Sequence, residues 1–193
     1  MLGDQSKSIP MPVPSGAEEG LLVRSFRPLD RPDVLRLYHE GLLAGCVDPK
    51  DRAADLDDIE GAYFRRPQNH FWIAEANGVV IGTVAVSEDD AGITHLRRLR
   101  VASAWQKNSG VAVELIKAAI HHARSHGCLK LVFHTSLDGE QAVKLLDRLG
   151  FQFSRTRDIG GRHLIEFYDN LYATTDVQNS GPNADWYQQG SPE

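Results

Sequence analysis

The stretch WQKNSGVAVELI, residues 105–116, places small and polar residues where a strand-like segment gives way to a helix-like one. The first N–H groups of a helix lack partners within it and the helix dipole is positive there, so such a turn can hold an anion such as a phosphate. Gly110 lets a ligand approach the backbone closely, and Lys107 adds a cation. Many helices begin with Ser-Gly and bind nothing, so the pattern alone is a weak signal. The residues concerned are Gln106, Lys107, Asn108, Ser109, Gly110, Val111 and Ala112.

The chain before this turn predicts a strand, two helices and three antiparallel strands. The clearest signal is Asn77-Gly78 between two apolar runs, because both residues tolerate the positive φ values of a tight hairpin turn. Asp30 followed by Pro32 is a helix start, and Gly45 can end that helix. The predicted elements are a strand at 21–26, a helix up to Gly45, an acidic helical stretch at 54–63, strands at 70–76 and 79–86, and a third strand at 93–101.

The third of these strands, ITHLRRLRV, has an irregular apolar pattern. Its apolar residues alternate from Leu99 to Val101, but the phase slips once between Ile93 and Leu99. A single β-bulge near Arg97 and Arg98 would explain the slip, and bulges are common beside active sites. An irregular or partly exposed strand explains it equally well.

The chain after the turn predicts a helix, a strand, a second helix and two closing strands. Apolar residues from Gly110 onward follow helical spacing up to a stop at Gly127. The second helix is capped by Asp138 and ended by Gly150. The predicted strands are at 129–135, 151–154 and 163–168. These elements predict an α/β fold in which helices cover both faces of a mixed, mostly antiparallel sheet.

Length and composition favour one globular domain with a tail at each end. The chain has 193 residues, of which 41% are hydrophobic and 24% charged, and one ordinary domain accounts for this length. The proline-bearing start and the polar end cannot build a core. We therefore expect tails at 1–20 and 173–193 around a domain at 21–172.

The composition also limits the partners. Lys and Arg number 21 against 26 Asp and Glu, a net charge of -5, so nucleic acid and anionic membranes are not expected partners. Cys46 and Cys128 are far apart, which favours two free thiols and a cytoplasmic location, as does an N-terminus without a secretory pattern. The eight histidines are scattered without ligand spacing, so no metal site is expected.

The chain resembles the GCN5-related N-acetyltransferase superfamily over residues 22–168. K-N-S-G-V-A at 107–112 is similar to its Q/R-x-x-G-x-G/A pyrophosphate loop, and AVKLLDRLGF at 142–151 is similar to its A-x-x-L-Y-x-x-x-G-F signature. FWIAEANGVVIGTVAV looks like the family's central hairpin. This hairpin and H-T-S at 134–136 look most like the camello-like branch, although its vertebrate members' membrane segment is absent here.

The resemblance implies binding of acetyl-CoA as acetyl donor. Backbone N–H groups at 108–112 would hold the pyrophosphate, with Gln106 or Lys107 in the first loop position. The bulged strand at Leu99, Arg100 and Val101 would bond the pantetheine arm as a further strand, between splayed fourth and fifth strands. Two residues depart from the family pattern. Gly139 replaces a frequent Asn, which loosens contacts near the cofactor. Leu146 replaces the Tyr that in many members protonates the leaving thiolate, which weakens the catalytic expectation.

The resemblance also implies an acid-base role for two histidines. His95 matches the position of a glutamate or histidine base in some members, and His134 ends the fifth strand beside the splay. An imidazole titrates near neutral pH, which suits this role. A half-exposed strand histidine and a buried, satisfied one are the alternatives. Weaker candidates for substrate contact, each also explained as surface charge, are Glu75, Arg97, Arg98, Arg100 and Asp57-Asp58.

The expected function is acetyl transfer from acetyl-CoA directly to a primary amine of a small molecule or peptide. The alternative is a catalytically weak CoA-binding or protein-interaction module, which Leu146 permits, and transfer of a longer acyl group is a third reading. Dimers are common among members of the superfamily, which allows a homodimer. The acceptor cannot be named from the sequence, because one fold serves many acceptors.

Overall fold

The computed structural model describes residues 20–40, 52–106, 109–136, 140–158 and 163–172. The predicted tails lie outside these ranges apart from Gly20. Gly45, Cys46, Lys107, Asn108, Asp138 and Gly139 also lie outside them. None of the helices in the described part of the chain is both long and apolar enough to cross a bilayer.

One sheet of seven strands forms the centre of the fold, in the order β1-β2-β3-β4-β5-β7-β6. All neighbours pair antiparallel except β4 and β5, which are parallel. The predicted mixed, mostly antiparallel sheet is therefore confirmed. The strands are β1 Leu21–Ser25, β2 His70–Ala76, β3 Val79–Glu88, β4 Thr94–Val101, β5 Lys130–Ser136, β6 Gln152–Asp158 and β7 His163–Asn170.

Five α-helices are described, together with short 3-10 turns at Pro28–Asp30 and Ser103–Trp105. The acidic stretch predicted as one helix is two short ones. They separate at Asp58, which has φ -140° and ψ 76° and whose side chain accepts a hydrogen bond from the Gly61 N–H at 2.8 Å. Asp58 thus caps a new helix. The helices are α1 Arg31–Glu40, α2 Ala54–Asp57, α3 Ile59–Tyr63, α4 Ser109–Ser125 and α5 Glu140–Arg148.

Helices cover both faces of the sheet, as predicted. Neighbouring side chains of a strand point to opposite faces. On β2, Phe71 packs edge-on against Tyr63 of α3 with ring centroids 5.3 Å apart, whereas Trp72 packs against His122 of α4 at 5.1 Å. We call these sides the α3 face and the α4 face.

The predicted turn at Asn77-Gly78 is confirmed, and the last two strands are longer than predicted. Asn77 and Gly78 have φ values of 51° and 78°, which are the positive values of the predicted hairpin turn. β6 extends to Asp158 rather than Ser154, and β7 to Asn170 rather than Tyr168. β6 is an edge strand of mostly exposed polar residues, so it carries no alternating apolar signal from which its length could be predicted.

Gly82 on β3 fixes how closely α4 packs on the sheet. A Cβ atom there would lie 2.9 Å from Leu115 Cδ1, 3.1 Å from the Arg100 carbonyl oxygen and 3.2 Å from Val111 Cγ1. A side chain at this position would have to displace the Leu115 side chain and press on the Arg100 backbone. The first turns of α4 are therefore held against the end of β4.

We expect Gly82→Val to destabilise the protein by about 1–3 kcal/mol, because overpacking strains a filled core. The measurement is urea unfolding followed by circular dichroism. Ser87→Val is the matched control, since it adds a β-branched side chain at a half-buried position of the same strand and should change stability by less than about 0.5 kcal/mol. Equal stability of the two variants would contradict the close contact at Gly82.

Candidate functional site

The predicted bulge on β4 is present. Thr83 pairs with Arg100 and Ala85 with Arg97, so Val84 alone lies opposite the two residues Arg98 and Leu99. Arg98 has φ 53°, a left-handed conformation that non-glycine residues seldom adopt. Its carbonyl accepts a buried hydrogen bond from the Thr83 hydroxyl at 2.8 Å. The irregularity in the sequence therefore marks one extra residue on β4.

The Arg98 side chain connects this bulge to the helices of the α3 face. Its guanidinium donates to both carboxylate oxygens of Asp55 on α2, from Nε at 2.8 Å and from Nη2. The Tyr63 hydroxyl of α3 donates to the same carboxylate. The side chains of Arg98 and Asp55 are only 6% and 15% exposed. We call Asp55, Tyr63 and Arg98 the bulge clamp.

Burial and hydrogen bonding together shift the pKa values of Asp55 and Tyr63 in the bulge clamp. Burial opposes ionisation of Asp55, but hydrogen bonds from Arg98 and Tyr63 outweigh it, so the pKa of Asp55 lies below its ordinary value. Burial, and then the Asp55 charge, raise the pKa of Tyr63. Asp55 is therefore a carboxylate that accepts from both partners at neutral pH.

A wedge-shaped gap opens between β4 and β5 beyond a short paired region. The strands pair only at Thr94–Leu131, His95–Val132 and Leu96–Phe133. Beyond this point, residues 97–101 of β4 and 134–136 of β5 no longer pair with each other. The splay between the fourth and fifth strands that the resemblance implied is therefore present in this chain.

Leu99 and Val101 direct their backbone groups away from β3 and toward the gap. The Ala102 N–H donates to Ile81 on β3, and alternate residues of a paired strand face opposite sides. The Leu99 carbonyl accepts from the Arg100 guanidinium at 2.9 Å, and the Val101 carbonyl from the Gln106 side-chain amide at 3.1 Å. Three of the predicted cofactor residues, Leu99, Arg100 and Val101, thus lie on one edge of the gap. The Gln106 side chain contacts this edge.

The start of α4 lies beside the same end of β4. Val111 is next to Gly82, and Gly82 pairs with Val101. Val111 and Ala112 are fully buried, so they can offer a ligand only backbone groups. Ser109 and Gly110 form the first turn of α4. Of the predicted loop, Lys107 and Asn108 lie outside the described residues.

His95 and His134 form a stacked pair at the vertex of the gap. Their ring centroids are 5.7 Å apart with an interplanar angle of 20°, and both side chains are 24% exposed. Both lie on the α3 face, because Phe71 pairs with Ala85 and Ala85 with Arg97, two residues after His95. His134 is the first residue of β5 beyond the last β4–β5 pair.

Each histidine has a carboxylate partner. His134 Nε2 lies 3.3 Å from Glu166 Oε2, and His95 Nε2 lies 2.9 Å from Asp89 Oδ2. Hydrogen bonds from His95 and from the Ile93 N–H lower the pKa of Asp89. Burial is the main cause that lowers the pKa of His134, against the opposing effect of Glu166. The lowered pKa favours the neutral imidazole form of His134.

Glu166 fixes the tautomer of His134. Its side chain is 6% exposed. Burial opposes its ionisation, but a 2.8 Å hydrogen bond from Ser154 and the charge of Arg155 are the main effects that lower its pKa. A carboxylate can only accept, so the proton of neutral His134 sits on Nε2 and a lone pair remains on Nδ1. That nitrogen can accept a proton.

Other candidates from the sequence lie elsewhere. Glu75 pairs with Arg24 at 2.8 Å on the β1–β2 side of the sheet. Asp57 is exposed, and Asp58 caps α3. Leu146 is 1% exposed and belongs to the hydrophobic core, so its position supplies no acid. No cluster of three or more potential metal ligands occurs in the described ranges.

The sequence did not single out several residues of the site: Asp55, Tyr63, Asp89, Arg155, Arg157 and Glu166. Arg155 and Arg157 on β6 approach Glu166 through their Nε atoms at 3.3 and 3.4 Å. Among these residues Glu166 alone had a signal in the sequence, because it lies within the apolar run LIEFY and a carboxylate is seldom buried without partners.

Comparison with known proteins identifies the family to which this fold belongs. Residues 32–151 match the model of the acetyltransferase (GNAT) family. N-acetyltransferase 8 of Rattus norvegicus is 31% identical over 102 residues, which are 51% of this chain and 46% of the relative. The probable N-acetyltransferase camello of Xenopus tropicalis is 32% identical over 103 residues, 52% of this chain and 47% of the relative. The chain thus spans about half the length of these curated relatives.

The fold is also similar to solved structures. A putative acetyltransferase from Salmonella typhimurium, determined with its cofactor acetyl-CoA, has a TM-score of 0.68 at 20% identity, covering 81% of this chain and 96% of that one. An acetyltransferase of the GNAT family from Staphylococcus aureus has a TM-score of 0.67 at 15% identity, covering 79% and 99%. At these identities the likeness concerns the fold.

We expect Asp55→Ala to destabilise the protein by about 3–5 kcal/mol, because it leaves a buried guanidinium without its carboxylate. The measurement is urea unfolding at several pH values. The folded pKa of Asp55 is depressed, so its contribution is complete above the unfolded value of about 3.9 and is lost as pH falls through the folded value. The difference from wild type should therefore be constant from about pH 7 to pH 5 and shrink below about pH 4.

Asp57→Ala is the control, because Asp57 is an exposed carboxylate on the same helix. It should change stability by less than about 0.5 kcal/mol. A loss of the same size in both variants would show that the bulge clamp contributes nothing specific.

Proposed function

The chain belongs to the acetyltransferase (GNAT) family, and from this premise we propose that it transfers the acetyl group of acetyl-CoA directly to a primary amine of a small molecule or peptide. The observation that carries the proposal is the gap between β4 and β5. On one side of it lie residues 97–101 of β4, which do not pair with β5, the start of α4 lies beside it, and a histidine pair lies at its vertex. The names of the matched relatives support the reaction class.

The gap suits an extended amide-bearing chain such as pantetheine. Leu99 and Val101 turn backbone groups toward it, and a ligand can add to such an edge as a further strand. The pantetheine amides would replace the Arg100 and Gln106 donors there. A solved structure of the same fold contains acetyl-CoA, which supports acetyl-CoA as the ligand.

The start of α4 suits the pyrophosphate. The first turn of α4, from Ser109 on, lies at the positive end of the helix dipole, where backbone N–H groups can face a bound anion. Because Val111 and Ala112 are buried, this contact would be made through the backbone. We propose Lys107 and Asn108 as further contacts on the strength of the sequence resemblance.

The histidine pair supplies the proton acceptor. As donor substrate, acetyl-CoA brings an activated thioester, and an amine attacks it only in the neutral form. The Nδ1 lone pair of His134, oriented by Glu166, can take the proton that the amine loses, directly or through a water. His95 stacks on the same ring and is proposed as the second member of the relay.

The departing thiolate needs no acid at position 146. A thiol has an ordinary pKa of about 8.5, so its thiolate can leave without complete protonation. The buried Leu146 therefore permits turnover without a Tyr there.

Leu146 also favours a second candidate, a CoA-binding or interaction module with little chemistry. The two candidates differ in outcome: both predict acetyl-CoA binding, but only the first predicts release of CoA thiol in the presence of an amine. The ordered His134–Glu166 pair supports the first, because a binding module has no need of an oriented proton acceptor.

We expect Gly110→Glu to lower the affinity for acetyl-CoA by at least about tenfold, because a carboxylate at the start of α4 repels the pyrophosphate. An acidic residue there is favourable for the helix itself, so folding should be unaffected. The measurement is isothermal titration with acetyl-CoA. His121→Glu, at an exposed position of the same helix, should bind like wild type, and equal binding by both variants would refute the assignment of this helix start.

We expect His134→Gln to lower kcat by about 10²-fold or more, the usual contribution of a general base. Because the pKa of His134 is lowered from 6.5 and its neutral form is the active one, wild-type kcat should fall on the acid side of pH 6.5, and this limb should be absent in the variant. The measurement is the pH dependence of thiol release at saturating substrates.

His95→Gln and His121→Gln are the comparison variants. The first should reduce kcat but keep the acid limb, and the second should behave as wild type. If the acid limb of the kcat profile is lost in His95→Gln and kept in His134→Gln, then the base is His95 instead.

A further inference from the structure

The strand β6 carries two arginines whose charge the protein neutralises only in part. Arg155 and Arg157 share one carboxylate, Glu166, and their side chains are 57% and 41% exposed. Within the part of the chain that the structure describes, neither has a second acidic partner. Both approach Glu166 through Nε, at 3.3 and 3.4 Å.

These arginines are on the same side of the sheet as the proposed proton acceptor. His134 pairs with Glu166 across β5 and β7, and Glu166 pairs with Arg155 across β7 and β6. Cross-strand partners share a face, and Arg157 is two residues further along that face. The charge of Arg157 is one of the effects that lower the pKa of His134, which is in keeping with their proximity.

The charges around the vertex leave a positive surplus. Two guanidinium groups, those of Arg155 and Arg157, face the single carboxylate of Glu166. The neutral His134 adds no charge. Arg98 and Asp55 cancel each other within the bulge clamp.

We propose, resting on the acetyl transfer proposed above, that the acceptor is an amine that also carries a carboxylate, and that Arg157 with Arg155 binds this carboxylate. A guanidinium binds a carboxylate through two parallel hydrogen bonds, which fixes its orientation as well as its position. The same positive charge repels a polyamine that has no acidic group.

The same charge assists the chemistry. Nearby positive charges disfavour the protonated form of an amine and lower its pKa. An acceptor whose carboxylate is held by the arginines brings its ammonium group into this field, beside His134. Recognition of the carboxylate and deprotonation of the amine therefore have a common origin in the arrangement around Glu166.

The test is a thiol-release assay on free amino acids, their carboxamides and the diamine putrescine. We expect kcat/KM for free amino acids to exceed that for the carboxamides at least tenfold. Arg157→Gln should remove about tenfold from the free amino acids, mainly through KM, and leave the carboxamides and the KM for acetyl-CoA unchanged. Arg157→Lys, which keeps the charge but not the planar fork, should restore part of the loss.

The control is Arg124→Gln on α4, whose helix covers the opposite face and which should behave as wild type. If the arginines only position Glu166 and His134, then Arg157→Gln will lower kcat equally for amino acids and carboxamides, and the proposal is wrong. A kcat/KM for putrescine or the carboxamides equal to that for free amino acids would also overturn the carboxylate site, but it would leave the proposal of acetyl transfer intact.

If no amine is acetylated although acetyl-CoA binds, the transfer reaction itself is refuted. Titration of the CoA complex with the same amino acids and carboxamides then decides the carboxylate site separately. Tighter binding of free amino acids that Arg157→Gln abolishes would support the site, and equal binding of both classes would refute it.

Discussion

The ion pair between Arg98 and Asp55 is the interaction on which the rest of the site depends. Arg98 occupies the extra position of β4 with φ 53°, a backbone conformation that costs on the order of 1–2 kcal/mol for a residue with a Cβ. The buried pair and the Tyr63 hydroxyl stabilise it. Because the bulge sets the direction of the backbone beyond it, the same pair determines which groups of Leu99 and Val101 face the gap. It also joins α2 and α3 to the strand beside which the cofactor is proposed to bind.

The two faces of the sheet contribute differently. The α4 face brings a helix start to the end of β4 through the close contact at Gly82. The α3 face collects titratable groups across β4, β5, β7 and β6. Glu166 is central to this face, because it accepts from Ser154, faces His134 and is approached by two arginines. A single buried carboxylate thus orients the proposed base and spaces the cations that surround it.

The sequence predicted the features that depend on neighbouring residues. The Asn77-Gly78 turn, the helix stops at Gly127 and Gly150 and the slip in β4 each have a local signal, and each is confirmed. The partners across the site have none, because Asp55 and Arg98 are 43 residues apart and His134 and Glu166 are 32 apart. His95 and His134 were singled out separately, but their contact depends on the parallel register of β4 and β5, which alternation along one strand cannot provide. The length of β6 was missed because polar edge strands lack an apolar pattern.

The most direct test of the central claim is amide hydrogen exchange of the whole protein with and without acetyl-CoA. We expect acetyl-CoA to slow exchange in peptides covering residues 97–101 and 109–112, where a ligand in the gap would occupy backbone N–H groups, and to leave exchange in the β1–β2 pair unchanged. Unchanged exchange in both segments at saturating acetyl-CoA, or protection confined to another part of the chain such as β6, would contradict it.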